Sequence, residues 1–192
     1  MEKRDIEFQS QRLAFRYLTA ADVGHKYVEW LEDVEINCWL ETRFERQSIK
    51  TCRQFVDSCN EDPRTHLMGI FLLPHMNHIG NIKVGFINTN QGTGEVSLFI
   101  GEKQHWGFGY GSEAIEALAD WALNILHLER LEARIHEKNT PSFCAFKRAG
   151  WVTEGYIRSN ANPPPSIGGE RLNSYVLGLI RDDLIKNRNK HC

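Results

Sequence analysis

Three glycines at alternating positions, Gly107, Gly109 and Gly111, come directly before a helical pattern in the segment HWGFGYGSEAIEALADWAL. Glycine lets the backbone approach a phosphate closely, and the first N–H groups of a helix have no partner within the helix. The helix dipole also favours negative charge at this end. The segment therefore indicates a main-chain anion site, and the glycines alone leave a tight turn without a ligand as the alternative.

The spacing of these glycines differs from two common nucleotide-binding turns. A dinucleotide-binding turn reads Gly-x-Gly-x-x-Gly and a P-loop ends in Gly-Lys-Ser/Thr, whereas the pattern here is Gly-x-Gly-x-Gly without a lysine. No acidic residue closes the following strand pattern, as a ribose-binding site requires. Both kinds of site are therefore disfavoured.

The elements that must position this turn follow from hydrophobic periodicity. Alternation predicts a strand at 12–19, helical spacing predicts two helices before residue 60, and three strand-like runs with Pro-, Asn- and Gly-rich turns predict an antiparallel meander. A helix after the glycines, a strand at 131–136, a helix containing Pro141 and two final strands complete the order. Because a helix between two strands implies a parallel crossover, the class is α+β (mixed α/β), with a mixed, mostly antiparallel sheet of about seven strands.

Composition and charge narrow the class of protein. The chain has 192 residues, 41% of them hydrophobic, and a formal net charge of −2, so we expect one domain over 1–192 and no nucleic-acid partner. No signal segment and no apolar run of about 20 residues is visible, which predicts a cytoplasmic protein without a membrane partner. Five cysteines lack metal-ligand spacing, and His75 and His78 are weak candidates, so no metal is expected.

Two motifs together resemble the GNAT superfamily of acetyl-CoA-dependent N-acetyltransferases. The family's pyrophosphate motif, Gln/Arg-x-x-Gly-x-Gly/Ala, matches at Gly109 and Gly111, with Trp106 at the Gln/Arg position. The segment WGFGYGSEA is similar to Trp-Gly-x-Gly-Tyr-Ala-Thr-Glu-Ala of the branch resembling the Rim-type ribosomal-protein N-terminal acetyltransferases. A second segment, NTPSFCAFKRAGW, matches that branch's Asn-x-x-Ser…Gly-Phe at Asn139 and Ser142.

The resemblance covers about 12–181 and implies a GNAT-like fold with helices on both faces of the sheet. It implies that acetyl-CoA binds with its pantetheine along the backbone of Leu98, Phe99 and Ile100, and with its pyrophosphate on the N–H groups of 107–112. The cofactor-binding residues that it implies are Leu98, Phe99, Ile100, Trp106, Gly107, Phe108, Gly109, Tyr110, Gly111, Ser112, Asn139, Ser142 and Phe146.

Attack of an amine on a thioester needs a proton acceptor for the amine and an acid for the leaving thiolate. The resemblance assigns the acid to Ser142, since Phe146, the nearest aromatic residue to the position where several relatives carry a Tyr, cannot donate a proton. It assigns the base to Glu95, which heads the strand EVSLFIG. A helix-start serine and a solvated glutamate remain the alternatives. His105 and His136 are expected to be surface or pocket-edge residues.

Cys144 invites a covalent mechanism, but no activating base is visible beside it, and its apolar neighbours favour a small buried thiol. Lys147 and Arg148 are weaker candidates for contact with the CoA 3′-phosphate.

The resemblance predicts an acyltransferase that moves an acetyl group from acetyl-CoA to a primary amine of a small molecule, such as an amino sugar or its nucleotide, by direct transfer in a ternary complex. The alternatives are N-terminal acetylation of a protein, such as a ribosomal protein, and a non-catalytic CoA-binding module. The acceptor is expected between 23–59 and 159–170, and acidic residues in the first range favour a cationic amine or form a solvated face. Many relatives dimerise, which leaves a homodimer open.

Overall fold

A computed structural model describes residues 5–190 of the protein, with side chains through residue 186. The strands are β1 (Phe8–Gln9), β2 (Leu13–Tyr17), β3 (His66–Leu72), β4 (Asn77–Asn88), β5 (Thr93–Ile100), β6 (Arg130–His136), β7 (Val152–Ala161) and β8 (Leu172–Ile180). The α-helices are α1 (His25–Glu32), α2 (Val34–Asn37), α3 (Ile49–Glu61), α4 (Tyr110–Asn124), α5 (Thr140–Arg148) and α6 (Arg181–Lys190). Short 3-10 turns lie at Ala20–Asp22, Glu41–Phe44 and Lys103–His105.

Within residues 5–190, all the strands form one sheet in the order β1-β2-β3-β4-β5-β6-β8-β7, and β5 and β6 are its parallel pair. The predicted mixed, mostly antiparallel sheet is confirmed, with eight strands rather than about seven. The additional strand is β1, which pairs two residues with β2. Such a short edge strand carries too few residues for alternation to be recognised in the sequence.

Parallel pairing of β5 with β6 is confined to Thr93–Glu95 against Arg130–Glu132. Beyond these residues β5 continues to Ile100 and β6 continues to His136 without a ladder between them. The two strands therefore separate, and a gap opens in the middle of the sheet towards their carboxyl ends.

Helices cover both faces of the sheet, as expected from the resemblance. One core lies under α4 and α5 and includes Ile115, Leu118 and Phe146. The other lies under α1 and α3 and includes Trp30 and Val56. Because side chains alternate along a strand, each residue of β5 and β6 faces one of these two layers.

Among residues 5–190 no helix is long and apolar enough to cross a membrane.

Candidate active site

A cleft of about 710 Å³ occupies the gap between β5 and β6. It is walled by the strands, the glycine turn, the start of α5 and the segment from α2 to the following turn. The sequence-predicted residues that line it are Glu95, Leu98, Phe99, Ile100, Trp106, Gly107, Gly109, Tyr110, Gly111, Ser112, Asn139, Ser142 and Phe146. The structure thus brings together residues from three separate parts of the chain.

The glycine turn ends at α4 with two residues in the left-handed region. Gly107 has φ 82° and Gly109, the N-cap residue of α4, has φ 83°. A side chain is disfavoured at both positions because L-residues rarely adopt positive φ. The first backbone hydrogen bond of the helix joins Glu113 N to Gly109 O at 3.1 Å, so the N–H groups of 110–112 precede the ladder and suit an anion.

Gly111 lies where α4 meets the floor of the cleft. A Cβ atom at this position would be 3.9 Å from Ala145 Cβ and 4.0 Å from Leu98 Cδ1. These are ordinary contact distances, so a side chain here would close space that glycine leaves open between α4, α5 and β5.

Arg12, a residue that the sequence analysis did not single out, holds the turn in place. Its Nε donates to Glu113 Oε2 at 2.7 Å, its main-chain N–H donates to Glu113 Oε1 at 2.8 Å, and its Nη1 donates to the carbonyl of Phe108 at 3.2 Å. The guanidinium also lies 4.4 Å from the centre of the Tyr110 ring. The charge of Glu113 in the first turn of α4 is therefore matched by Arg12.

Trp106 and Phe108 behave differently although both were predicted to bind the cofactor. The indole Nε1 of Trp106 donates to the carbonyl of Ile100 at 2.8 Å, which fixes this ring in the cleft wall. Phe108 does not line the cleft, and its ring is 63% exposed. What Phe108 contributes is its carbonyl, because this carbonyl accepts the hydrogen bond from Arg12.

The backbone of β5 presents alternate residues to the gap. Gly101 N–H donates to Ile79 O at 2.8 Å on the β4 side, so alternation turns the main-chain groups of Leu98 and Ile100 towards β6 and those of Phe99 towards β4. Since Trp106 takes the carbonyl of Ile100, Leu98 has the main-chain groups that face the gap most freely. The contact of pantetheine with these three backbones stays a prediction, and Leu98 is the best placed of the three residues to make it.

The start of α5 brings Asn139 and Ser142 to the cleft. Asn139 is the N-cap residue, and its Oδ1 accepts the N–H of Ser142 at 3.3 Å. The side-chain nitrogen of Asn139 and the hydroxyl of Ser142 make no hydrogen bond within residues 5–190. Both groups therefore keep their donors for a ligand. Phe146 is 2% exposed and packs edge-on against Trp151, so it belongs to the core as well as to the wall.

Glu95 lies on the sheet face opposite α4 and α5. Its neighbours Gly94 and Val96 are buried, and Val96 packs in the core under α4, so alternation turns Glu95 to the other side. The carboxylate is half-buried and has no hydrogen bond or ion pair with any described residue. Glu95 and Ser142 therefore approach the gap from opposite faces of the sheet.

The second wall of the cleft comes from the segment after α1. Glu35, Ile36, Trp39 and Leu40 line the cleft together with His136 at the end of β6. The acidic character predicted for this region is partly neutralised, because Lys103 forms ion pairs with Asp33 at 2.8 Å and with Glu35.

Other candidates at the edge of the cleft have different surroundings. Arg148 lines the cleft, whereas the ammonium of Lys147 donates to the carbonyl of Trp151 at 2.8 Å and is thereby occupied. Cys144 lines the cleft and is half-buried. His105 lies edge-on to Tyr110 with ring centres 5.7 Å apart. Within the described part of the chain, no group of three or more His, Cys, Asp or Glu residues is arranged to hold a metal ion.

Comparison with known proteins agrees with this architecture. A family model described as "Acetyltransferase (GNAT) domain" matches residues 12–152. The chain is 30% identical to an N-acetyltransferase 9-like protein of Caenorhabditis briggsae, over 78% of this chain and 80% of the relative. It is also 29% identical to N-acetyltransferase p20 of Bacillus licheniformis, whose function is uncharacterised, and spans only 55% of that relative's length.

Solved structures show the same fold at low sequence identity. A spermidine N-acetyltransferase from Vibrio cholerae in complex with CoA and spermine has a TM-score of 0.79 and 17% identity, over 92% of this chain and 99% of that one. A GNAT-family acetyltransferase from Bacillus anthracis has a TM-score of 0.76 and 20% identity, over 91% and 98% of the two chains.

The separated parallel strands and the glycine turn at a helix start agree with the family match to an acyltransferase that uses acetyl-CoA. The chain belongs to the GNAT superfamily of N-acetyltransferases. The more specific resemblance to the Rim-type branch stays a prediction.

Proposed function

We propose that this enzyme transfers the acetyl group of acetyl-CoA directly to a primary amine of a small molecule bound on the α1–α2 side of the cleft. An amino sugar or its nucleotide is the acceptor class that we favour. The observation that carries the proposal is the placement of Glu95: a half-buried carboxylate without a protein partner, in the cleft, on the face opposite α5.

Acetyl-CoA would be held by groups that are otherwise without partners. The N–H groups of 110–112 suit the pyrophosphate, and the main chain of Leu98 suits the amides of pantetheine. The amide nitrogen of Asn139 supplies a further donor. Because these groups are mostly main-chain atoms on a helix start and a strand, they are ordered before binding, which lowers the entropic cost of association.

The chemistry requires a neutral amine. The incoming ammonium gives one proton to water, and the neutral nitrogen attacks the thioester carbonyl. As the new C–N bond forms and the C–S bond breaks, the nitrogen loses a second proton to Glu95, directly or through water. The departing thiolate takes a proton from the Ser142 hydroxyl, which recovers one from water. Both substrates must be bound together, because acid and base flank the gap from its two faces.

The cysteine in the same cleft does not alter this route. Cys144 has no histidine or carboxylate on α5 to take its proton, and a nucleophilic thiol needs such a base to become a thiolate. Direct transfer uses Glu95 and Ser142 for the two proton transfers, whereas a covalent acetyl-cysteine would need a base that α5 does not offer.

An assay of CoA thiol release against a panel of amines tests the proposal. The panel contains glucosamine, an amino-sugar nucleotide, spermidine and a peptide with a free N-terminus. Release above background with the amino sugars, with intersecting double-reciprocal lines, is expected. Release with spermidine alone would give the enzyme the acceptor that the Vibrio cholerae relative's name states, and release with the peptide alone would move it to protein N-termini. Absence of acetyl-CoA binding by calorimetry at micromolar concentration would refute the proposal.

A further inference from the structure

His136 is the last residue of β6, and a cross-strand pair fixes its ring. Residues Leu131, Ala133 and Ile135 of β6 are buried in the core under α4, so alternation turns His136 to the face that carries Glu95. Its register partner on β8 is Ser174, and Nδ1 of His136 lies 3.2 Å from the Ser174 hydroxyl oxygen. The ring also lies 5.9 Å from the ring of Trp39, with which it lines the cleft.

The hydrogen bonds around Ser174 determine which ring nitrogen carries the proton. Ser174 is fully buried, and its oxygen accepts a hydrogen bond from Asn160 Nδ2 at 3.0 Å. Its own O–H needs an acceptor, and the described residues offer His136 Nδ1 alone. The reverse arrangement, with the proton on Nδ1, would leave a buried hydroxyl hydrogen without a partner, at a cost of about 1–3 kcal/mol. The Ser174 hydroxyl therefore donates to Nδ1, and the proton of the neutral ring lies on Nε2.

The surroundings also keep the ring neutral. Burial lowers the pKa of His136 below its usual value, and the nearby Arg43 acts in the same direction, while Glu41 opposes them. Trp39 adds an apolar neighbour. The charged residues that line the cleft are Glu35, Glu95, Arg134 and Arg148, so neither sign of charge dominates there. At neutral pH the ring is thus uncharged.

Nε2 makes no hydrogen bond to the part of the chain that the structure describes, although the ring lines the cleft. A neutral imidazole with its proton on Nε2 is a hydrogen-bond donor at this atom and cannot take a proton there. His136 is therefore unsuited to act as the base for the amine. Its Nε2–H is available to donate a hydrogen bond to the amine substrate.

We infer that His136 selects acceptors that carry an oxygen near the amine, by donating a hydrogen bond from Nε2 to a hydroxyl or carbonyl group. This rests on the proposed function, because it concerns the acceptor of that reaction. A polyamine offers only N–H donors when protonated, so it leaves the donor of His136 unpaired. A hydroxylated or carbonyl-bearing primary amine pairs with it, and sites built to bond a substrate oxygen reject analogues that lack it.

The tautomer is tested without any enzymatic activity. Long-range proton–nitrogen NMR spectra of the full chain distinguish a ring protonated at Nε2 from one protonated at Nδ1, with His136→Gln used to assign the signals. The expected result at pH 7 is a neutral ring with its proton on Nε2, and in Ser174→Ala a loss of that preference. A proton on Nδ1, or an imidazolium at pH 7, overturns the inference.

Selectivity is tested with two ring amines of similar size, glucosamine and cyclohexylamine, the second of which has no oxygen. Wild type should have a higher kcat/KM for glucosamine, and His136→Ala should reduce this ratio about tenfold or more, mainly through KM. His136→Gln should restore most of the ratio because its amide N–H₂ can replace the donor. His75→Gln, in an exposed turn outside the cleft, is the matched control.

An unchanged ratio in His136→Ala, or a wild-type enzyme that does not distinguish the two amines, contradicts the inference. Failure of the wild type to release thiol with any amine would instead refute the proposed reaction. In that case the NMR result still decides the state of His136.

Discussion

The two walls of the cleft present different kinds of chemical groups to a ligand. The wall formed by the glycine turn, α4 and α5 offers mainly main-chain donors, whose positions follow from the start of a helix. The opposite wall, formed by Glu95, His136 and the segment around Trp39, offers side chains from separate elements. Main-chain donors can hold a pyrophosphate in any member of the fold, whereas side chains can be exchanged singly. This difference explains how one fold can keep acetyl-CoA as the acetyl donor while the amine that accepts the acetyl group varies.

The largest effect that would test this division is expected at Glu95. Glu95→Gln keeps the size of the side chain and removes its capacity to accept a proton, so turnover should fall about 100-fold or more. Acetyl-CoA affinity, measured by calorimetry, should stay near the wild-type value because Glu95 belongs to the other wall. Turnover within a factor of three of wild type would assign the proton to water or to another group.

Gly109→Val tests the first wall, and here the measured quantity is acetyl-CoA affinity instead of turnover. The substitution places a branched side chain beside the anion site at φ 83°, so acetyl-CoA affinity should fall tenfold or more, or about 1.4 kcal/mol. Gly168→Val is the control for backbone strain alone, since Gly168 has φ 60°, open space around its Cβ position and no place in the cleft. Equal affinities of the two folded variants would mean that the turn does not bind the pyrophosphate.

The two walls also differ in how far the sequence alone can predict them. The glycine turn is local: Gly107 and Gly109 need positive φ, and a helix must follow, so pattern and geometry coincide within a few residues. Phe108 was predicted to contact the cofactor through its main-chain N–H, and that contact stays a prediction; its ring lies outside the cleft and is exposed to solvent. No periodicity encodes the direction of a ring in an irregular turn.

Contacts between distant segments were out of reach for a further reason. Arg12 and Glu113 are 101 residues apart, and the pair exists only because α4 packs against the sheet in which β2, directly after Arg12, is a strand. The tautomer of His136 depends on its register with Ser174, which is set when β8 pairs with β6. The sequence therefore predicted the sheet and proposed residues for both walls, whereas the contacts of Arg12 and the tautomer of His136 needed the tertiary structure.

A smaller effect on turnover is expected from α5, where Ser142 and Cys144 lie two positions apart. Ser142→Ala should lower kcat several-fold, because the thiolate loses its proton donor but water can replace it in part. Cys144→Ala should be nearly neutral for kcat. Both variants should unfold at temperatures close to that of the wild type. Parallel double-reciprocal lines, or acetyl-Cys144 trapped by mass spectrometry without acceptor, would replace direct transfer by a covalent route.

The smallest effect on acetyl-CoA affinity is expected at Arg12, which contacts the glycine turn but is not among the groups proposed to bind acetyl-CoA. Arg12→Gln removes the ion pair with Glu113 and the bond to the Phe108 carbonyl, so the turn loses its attachment to β2. The side chain of Arg12 is 42% exposed, so solvent screens the ion pair, and we expect a loss of about 1 kcal/mol in the free energy of unfolding. Acetyl-CoA affinity should fall only a few-fold, with kcat at saturating acetyl-CoA unchanged, because the N–H groups of 110–112 remain part of α4.

Arg64→Gln breaks an ion pair with Asp62 on an exposed turn and is the matched control, with no expected effect on affinity. A loss of affinity in Arg12→Gln as large as that in Gly109→Val would show that the guanidinium itself contacts the phosphates, and the first wall would then depend on a side chain as the second wall does.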